Sequence, residues 1–166
     1  MYGKEKTMTR LGAVAELLGR GDVFYNIVGD TPEDALRAFV KVLRVPKPLD
    51  KKVLAEALVE RESLATTAIG SGFAIPHPRA RLLKEEALAF ISIGYLDTPI
   101  PWNSPDGEPV STLFLLVSAE GTQHLSALAG IACLADNGRF KEYISEQPSK
   151  ADLLKFIASM ESCPPA

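Results

Sequence analysis

The chain has 166 residues, 23% of them charged and 46% hydrophobic, with 18 basic against 21 acidic side chains and a formal net charge of -3. That size suits one domain with a core of its own, and the even spread of charge argues against nucleic acid as the main partner. The longest apolar stretches, 87–90 and 113–117, fall far short of the roughly 20 residues that cross a bilayer. The polar start "MYGKEKTMTR" lacks the apolar region of a signal peptide. A cytoplasmic protein without membrane insertion is expected, with no disulfide framework from Cys133 and Cys163.

In chain order, "MTRLGAVAELLGR" (8–20) places apolar residues at 11, 14, 15 and 18, one helix face, and stops at Gly19 and Gly21. A second helix starts on Thr31 as N-cap with Pro32 first and Glu33 and Asp34 in its opening turn, and ends before Pro46 and Pro48. A third runs from Asp50 to Glu62 with Val53, Leu54, Ala57 and Leu58 facing inward. The period then changes. Segments 66–70 and 72–76 read as short strands, and 87–95 and 111–119 as central strands covered on both faces. The Pro, Asn, Asp and Gly of 96–109 mark the loop between them. Residues 121–136 read as a helix with Leu125, Leu128, Ala129 and Ala132 on its apolar side, stopped at Asn137-Gly138. Ser149 and Asp152 form a capping box for a last helix. The expected architecture is α/β, a mixed β-sheet with helices packed on both sides in a single domain.

The chemistry-bearing residues are few. His77 stands between Pro76 and Pro78 in "SGFAIPHPRAR". Either it is a loop histidine bonded to a nearby carbonyl, or it is a group held stiffly so that it meets a target in one geometry. His124 opens the helix at 121–136, either as a partly buried helix-start residue or beside an anion drawn to the unpaired N–H groups there, whose field favours a neutral imidazole. Arg61 ends the third helix, as an ordinary dipole contact or as a planar fork for phosphate. Glu62 follows it, and Thr66, Thr67 and Ser71 add hydroxyls whose plainer role is strand and turn packing. Two histidines and two separated cysteines give no metal spacing, and no phosphate-cradling glycine loop is present.

Taken together, "RESLATTAIGSGFAIPH" (61–77) and "TPIPWNSPDGEPVSTLFLLVSAEGTQHLSALAGIACLADNGRF" (98–140) resemble the mannitol/fructose/nitrogen class of IIA domains of the bacterial phosphoenolpyruvate-dependent phosphotransferase system. The resemblance covers about residues 8 to 159, which suggests a domain over 8–160 between tails 1–7 and 161–166. It implies that His77 is phosphorylated by an HPr-type phosphocarrier, that His124 orients the phosphoryl group, and that Arg61 neutralises its charge. Glu62, Thr66 and Thr67 match the surrounding motif as supporting residues. No cofactor, metal or nucleotide is required by this chemistry, and a homodimer is compatible with it. Where many members have Gly after the active histidine, Pro78 removes a backbone donor and stiffens the exit, which bears on partner fit.

Segment 98–110 looks most like the nitrogen branch and its stand-alone relatives, and a protein without an attached IIB or membrane domain is expected. The favoured expectation is a regulatory module whose phosphorylation state governs binding to target proteins. The alternative is a sugar-uptake IIA component passing phosphate to a separate IIB, and a further one is a binding module that has lost the chemistry. Against the last, both histidines of the chain fall on the two active positions of the motif.

Overall fold

In the computed structural model, which describes residues 9–119, 121–160 and 163, the first apolar spacing becomes helix α1, Arg10–Arg20. The Thr9 hydroxyl caps it by accepting from the Gly12 N–H. Helix α2, Pro32–Val42, begins as its sequence dictates, with the Thr31 hydroxyl accepting from Asp34 N–H. Helix α3, Lys51–Leu64, is capped by Asp50. Its buried stripe is Leu54, Ala55 and Leu58, whereas Val53 is exposed and Ala57 only half-buried. The reason is that α3 docks mainly on α2, so a narrower stripe than the sequence pattern suggests is covered.

Five strands form one mixed sheet: β1 Val23–Ile27, β2 Ala68–Gly70, β3 Phe73–Ala74, β4 Phe90–Ile100 and β5 Val110–Val117. Their spatial order is β1-β4-β5-β3-β2, with β1/β4 and β3/β5 parallel and β4/β5 and β2/β3 antiparallel. Strand β1 lacked a readable sequence signal. It is a half-exposed edge whose register against β4 shifts between Phe24 and Ile27, where Asn26 adopts a φ of 56°, so neither alternation nor a continuous apolar run marks it. Strand β4 also continues five residues into the stretch expected to be loop, ending at Ile100, and a short 3-10 turn, Glu86–Leu88, precedes it.

The two central strands are mostly apolar and buried over Phe90–Leu96 and Thr112–Val117 because they serve two cores. Phe90, Leu96, Leu113, Leu115 and Val117 pack with Leu36, Phe39, Leu54 and Leu58 on one side of the sheet. Ile91, Ile93, Tyr95, Phe114 and Leu116, the alternate positions, pack with α1 and three later helices on the other. Those helices are α4 Thr122–Asp136, α5 Gly138–Ile144 and α6 Lys150–Ser159. Asn137 both ends α4 and caps α5, its side chain accepting from Phe140 N–H.

The face by which α4 packs differs from the expected one. Ala127, Gly130, Ile131, Leu134 and Ala135 are buried, while Leu125 is 67% exposed and Ala132 is exposed. Close crossing with α1 explains the choice. A Cβ on Gly130 would lie 2.5 Å from the Arg10 carbonyl oxygen and 2.6 Å from Val14 Cγ2, so the small-residue face is the one that allows the two backbones to approach.

A second correction concerns the cysteines. Cys133 on α4 and Cys163 beyond α6 form a disulfide with Cα atoms 5.8 Å apart. Both pack at the edge of the second core, a proximity created by the tertiary fold and invisible in a sequence separation of 30. Among the described residues no helix is long and apolar enough to cross a membrane.

Candidate functional site

His77 lies just beyond the short strand β3, on a segment fastened from both sides. Ile75 N–H donates to the Thr67 carbonyl at 3.0 Å, and Leu116 N–H of β5 donates to the Pro76 carbonyl at 2.9 Å. The imidazole is half-buried, and its Nδ1 lies 2.7 Å from the Ile75 carbonyl oxygen. A carbonyl only accepts, so this contact requires a proton on Nδ1 and leaves the Nε2 lone pair for chemistry in the neutral ring. Burial holds the imidazole below the usual histidine range, and the charge of Arg61 pushes the same way, against the Ile75 carbonyl and the charge of Glu62.

His124 reaches the same place from the first turn of α4. Gly121, at φ 122°, precedes that helix with no side chain of its own to cap it, and a helix N-terminus of this kind favours negative charge nearby. The two imidazole rings meet edge to face, with centroids 5.7 Å apart and planes at 66°. Nδ1 of His124 lies 2.5 Å from Oγ of Ser118, the residue after β5.

Around the two rings is a pocket of about 270 Å³, lined by Arg61, His77, Pro78, Arg79, Ala80, Arg81, Leu116, Ser118 and His124. Among the described residues its lining carries three guanidinium groups and no carboxylate. Arg61 donates to the Ala65 carbonyl at 2.7 Å, and Arg81 to the carbonyls of Leu83 and Lys84 at 3.2 and 2.9 Å. These are neutral acceptors, so the positive charge is not offset by the groups that fix it in place. Such a cavity favours a small anion beside a half-buried nucleophilic nitrogen.

The other residues singled out from the motif lie one layer away. Glu62 accepts from the N–H of Thr67 at 2.9 Å, from its hydroxyl at 2.5 Å and from the indole N–H of Trp102 at 2.8 Å. Thr66 donates its hydroxyl to the Trp102 carbonyl at 2.5 Å and accepts from Ala68 N–H. Glu62, Thr66, Thr67 and Trp102 thus form a bracket joining the end of α3, the start of β2 and the loop after β4, which fixes the chain that follows Arg61. Sequence reasoning passed over Trp102, Ser118, Arg79 and Arg81. The arginines stand in plain view in "HPRAR", whereas the lone tryptophan in a proline-rich loop gave only a faint hint of its 2% exposure.

Among the described residues no group of three or more His, Cys, Asp or Glu is arranged to hold a metal. The chain is 40% identical over 120 residues to a nitrogen regulatory protein of Bradyrhizobium diazoefficiens, an alignment covering 70% of this chain and 73% of that protein. It is 29% identical over 147 residues to the fructose-specific EIIABC component of Bacillus subtilis, covering 87% of this chain but only 23% of that longer protein. The fold superposes on the nitrogen regulatory protein IIA-Ntr of Neisseria meningitidis with a TM-score of 0.73 at 24% identity, over 87% of this chain and 98% of that one. It also superposes on a chain of the Escherichia coli complex of enzyme IIAMTL and phosphorylated enzyme IIBMTL, with a TM-score of 0.63 at 15% identity, over 84% and 95% of the two chains. Residues 16–160 match the family described as the phosphoenolpyruvate-dependent sugar phosphotransferase system, EIIA 2, and the chain is a member of that family.

Proposed function

We propose that this phosphotransferase-system domain carries a phosphoryl group on Nε2 of His77. The observation that carries the reading is the pairing of a Nδ1–H held by the Ile75 carbonyl with a second imidazole 5.7 Å away across an arginine-lined pocket. In the forward step the Nε2 lone pair attacks the phosphorus of a phosphohistidine on an HPr-type carrier. The new N–P bond forms as the donor's N–P bond breaks, and the bonding pair leaves with the donor nitrogen. His77 keeps its Nδ1 proton against Ile75, which disperses the positive charge that develops on the ring. Arg61 balances the phosphoryl charge, and His124 with the start of α4 orients its oxygens. Glu62, Thr66 and Thr67 support the site by fixing its frame. The cytoplasm, where such a donor operates, is the compartment this role implies.

Downstream, the reading favours regulation of the nitrogen type, in which the phosphorylation state sets binding to a target protein. It is supported by the 40% identity to a nitrogen regulatory protein over most of that protein's length. The match to a fructose-specific EIIABC component favours the second reading, transfer from His77 to a IIB acceptor. Incubation with labelled phosphoenolpyruvate, enzyme I and HPr tests the site. The protein should take up one acid-labile phosphate and His77→Ala none, and label surviving in that variant refutes the assignment. A capture experiment with phosphorylated and unphosphorylated protein, run beside a IIB transfer assay, separates the two roles.

A further inference from the structure

Ser118 sits where β5 has ended and the chain turns toward α4, half-buried and in the wall of the pocket. Its Oγ is 2.5 Å from Nδ1 of His124, a contact that spans six residues of chain. The next residue, Ala119, is fully buried, so the hydroxyl is carried by anchored backbone. A hydroxyl can donate or accept, and a neutral imidazole carries its proton on one nitrogen only. If Nδ1 held the proton and gave it to Ser118, the ring would turn a lone pair at Nε2 toward any anion in the pocket. If instead the hydroxyl donates, Nε2 carries the proton and the ring becomes a directed donor to that anion.

We propose that Ser118 is a positioning residue that holds His124 in the Nε2–H tautomer and in the ring orientation that offers this donor to the phosphoryl group on His77. The inference rests on the reading of His77 as the phosphorylated residue. It adds a division of labour. Arg61 supplies charge, which attracts an anion from many directions, whereas a fixed N–H selects one arrangement of the phosphoryl oxygens. The serine also remains a partner if the imidazole gains a second proton, because its oxygen then accepts from Nδ1–H, so the ring is held through the charge changes of the transfer.

The tautomer can be read directly from the ring nitrogen shifts of His124 by long-range 15N–1H NMR on the whole chain. Wild-type protein should show one tautomer with the proton on Nε2. Ser118→Ala should move the shifts toward an average of the two tautomers, and Ser118→Thr, which keeps the hydroxyl, should restore them. In parallel, the rate of transfer from phosphorylated His77 to an acceptor should fall on the order of tenfold in Ser118→Ala, the scale on which outer partners of functional imidazoles act. KM for the HPr donor should stay unchanged and Thr should rescue the rate. Ser118→Cys keeps the side-chain size with a weak donor, and it should behave as Ala does; it serves as the test variant if the alanine protein does not fold. A wild-type ring protonated on Nδ1, or shifts indifferent to Ser118→Ala, overturns the proposal. Because the shifts are also measured in a His77→Ala background, where nothing is phosphorylated, this failure is distinct from failure of the His77 assignment, which shows as label retained in His77→Ala.

Discussion

The indole of Trp102 donates to Glu62 Oε1 across 2.8 Å, and the same carboxylate receives both donors of Thr67. One acidic side chain therefore ties three chain segments together behind Arg61. Trp102→Phe keeps most of the buried ring and removes one bond to a charged acceptor, which costs about 2 kcal/mol. A thermal melt should show Tm lower by roughly 4–8 °C in a chain of this size. An unchanged melting curve would show that the bond adds nothing net to stability.

His77 gives the protein an acid-sensitive element whose sign follows from burial. Its folded-state pKa lies below the ordinary value, so the unfolded chain takes up this proton first as pH falls. The stability attached to the neutral ring is complete above the unfolded pKa of about 6.5 and is lost as pH drops from there through the lower folded-state value. Urea midpoints measured at neutral and mildly acidic pH should therefore fall more for the wild type than for His77→Gln. Equal losses would mean that the ring titrates normally. For the same reason, phosphorylation should persist below the usual histidine range, because the nucleophile stays neutral there.

Arg79 is exposed at the mouth of the pocket, while Arg61 and Arg81 are held by backbone carbonyls. Arg79→Gln should leave stability within about 0.5 kcal/mol, as for most surface changes. It should raise KM for the phosphorylated donor severalfold, and the difference from wild type should shrink in high salt as the charge is screened. A KM that does not respond to this substitution would place Arg79 outside the encounter.

Two helical glycines should respond in opposite senses to alanine. Gly130→Ala forces a methyl against the Arg10 carbonyl and Val14; overpacking of this kind costs about 1–3 kcal/mol, more than the roughly 1 kcal/mol that alanine gains in helix propensity. Nothing lies within 4 Å of the Cβ position at Gly19, so Gly19→Ala should stabilise by about 0.5–1 kcal/mol. Paired denaturation curves check both, and a stabilised Gly130→Ala would show that α1 and α4 can separate at little cost.

The Cys133–Cys163 bond closes a loop with a sequence separation of 30. On the chain-entropy account, reduction should cost about 3–4 kcal/mol. Mass spectrometry of unreduced protein should find both cysteines protected from alkylation, and Tm should fall on adding reductant. Cys133→Ser should already have the lower Tm and not respond to reductant.

Much of this architecture was legible in particular residues. Thr31-Pro32, Asp50 and Ser149 announce helix starts because each side chain can satisfy an orphan N–H locally. The continuous apolar runs of β4 and β5 reveal strands covered on both faces, and two prolines beside His77 advertise a stiff segment. What stayed hidden depends on distant partners. Strand β1 exists because β4 lies beside it, the packing face of α4 is selected by the backbone of α1, and the two cysteines are neighbours only because the chain beyond α6 lies against α4. Within the site, Ser118 is an ordinary residue at a strand end until the start of α4 comes back to meet it.

The Pro76 carbonyl, sewn to Leu116 of the central strand, bears on how the proposed phosphorylation of His77 could be read by a partner. On the proposed reading, a nucleophile mounted on the sheet itself does not swing when it is phosphorylated, so His77 would work as a stamp and not as a lever. Whatever distinguishes the marked from the unmarked protein must be legible at the surface of the mark, as charge and oxygen atoms at the pocket mouth. A partner that tells the two states apart therefore has to touch this pocket, and one that docks on the far face of the sheet should be blind to the difference.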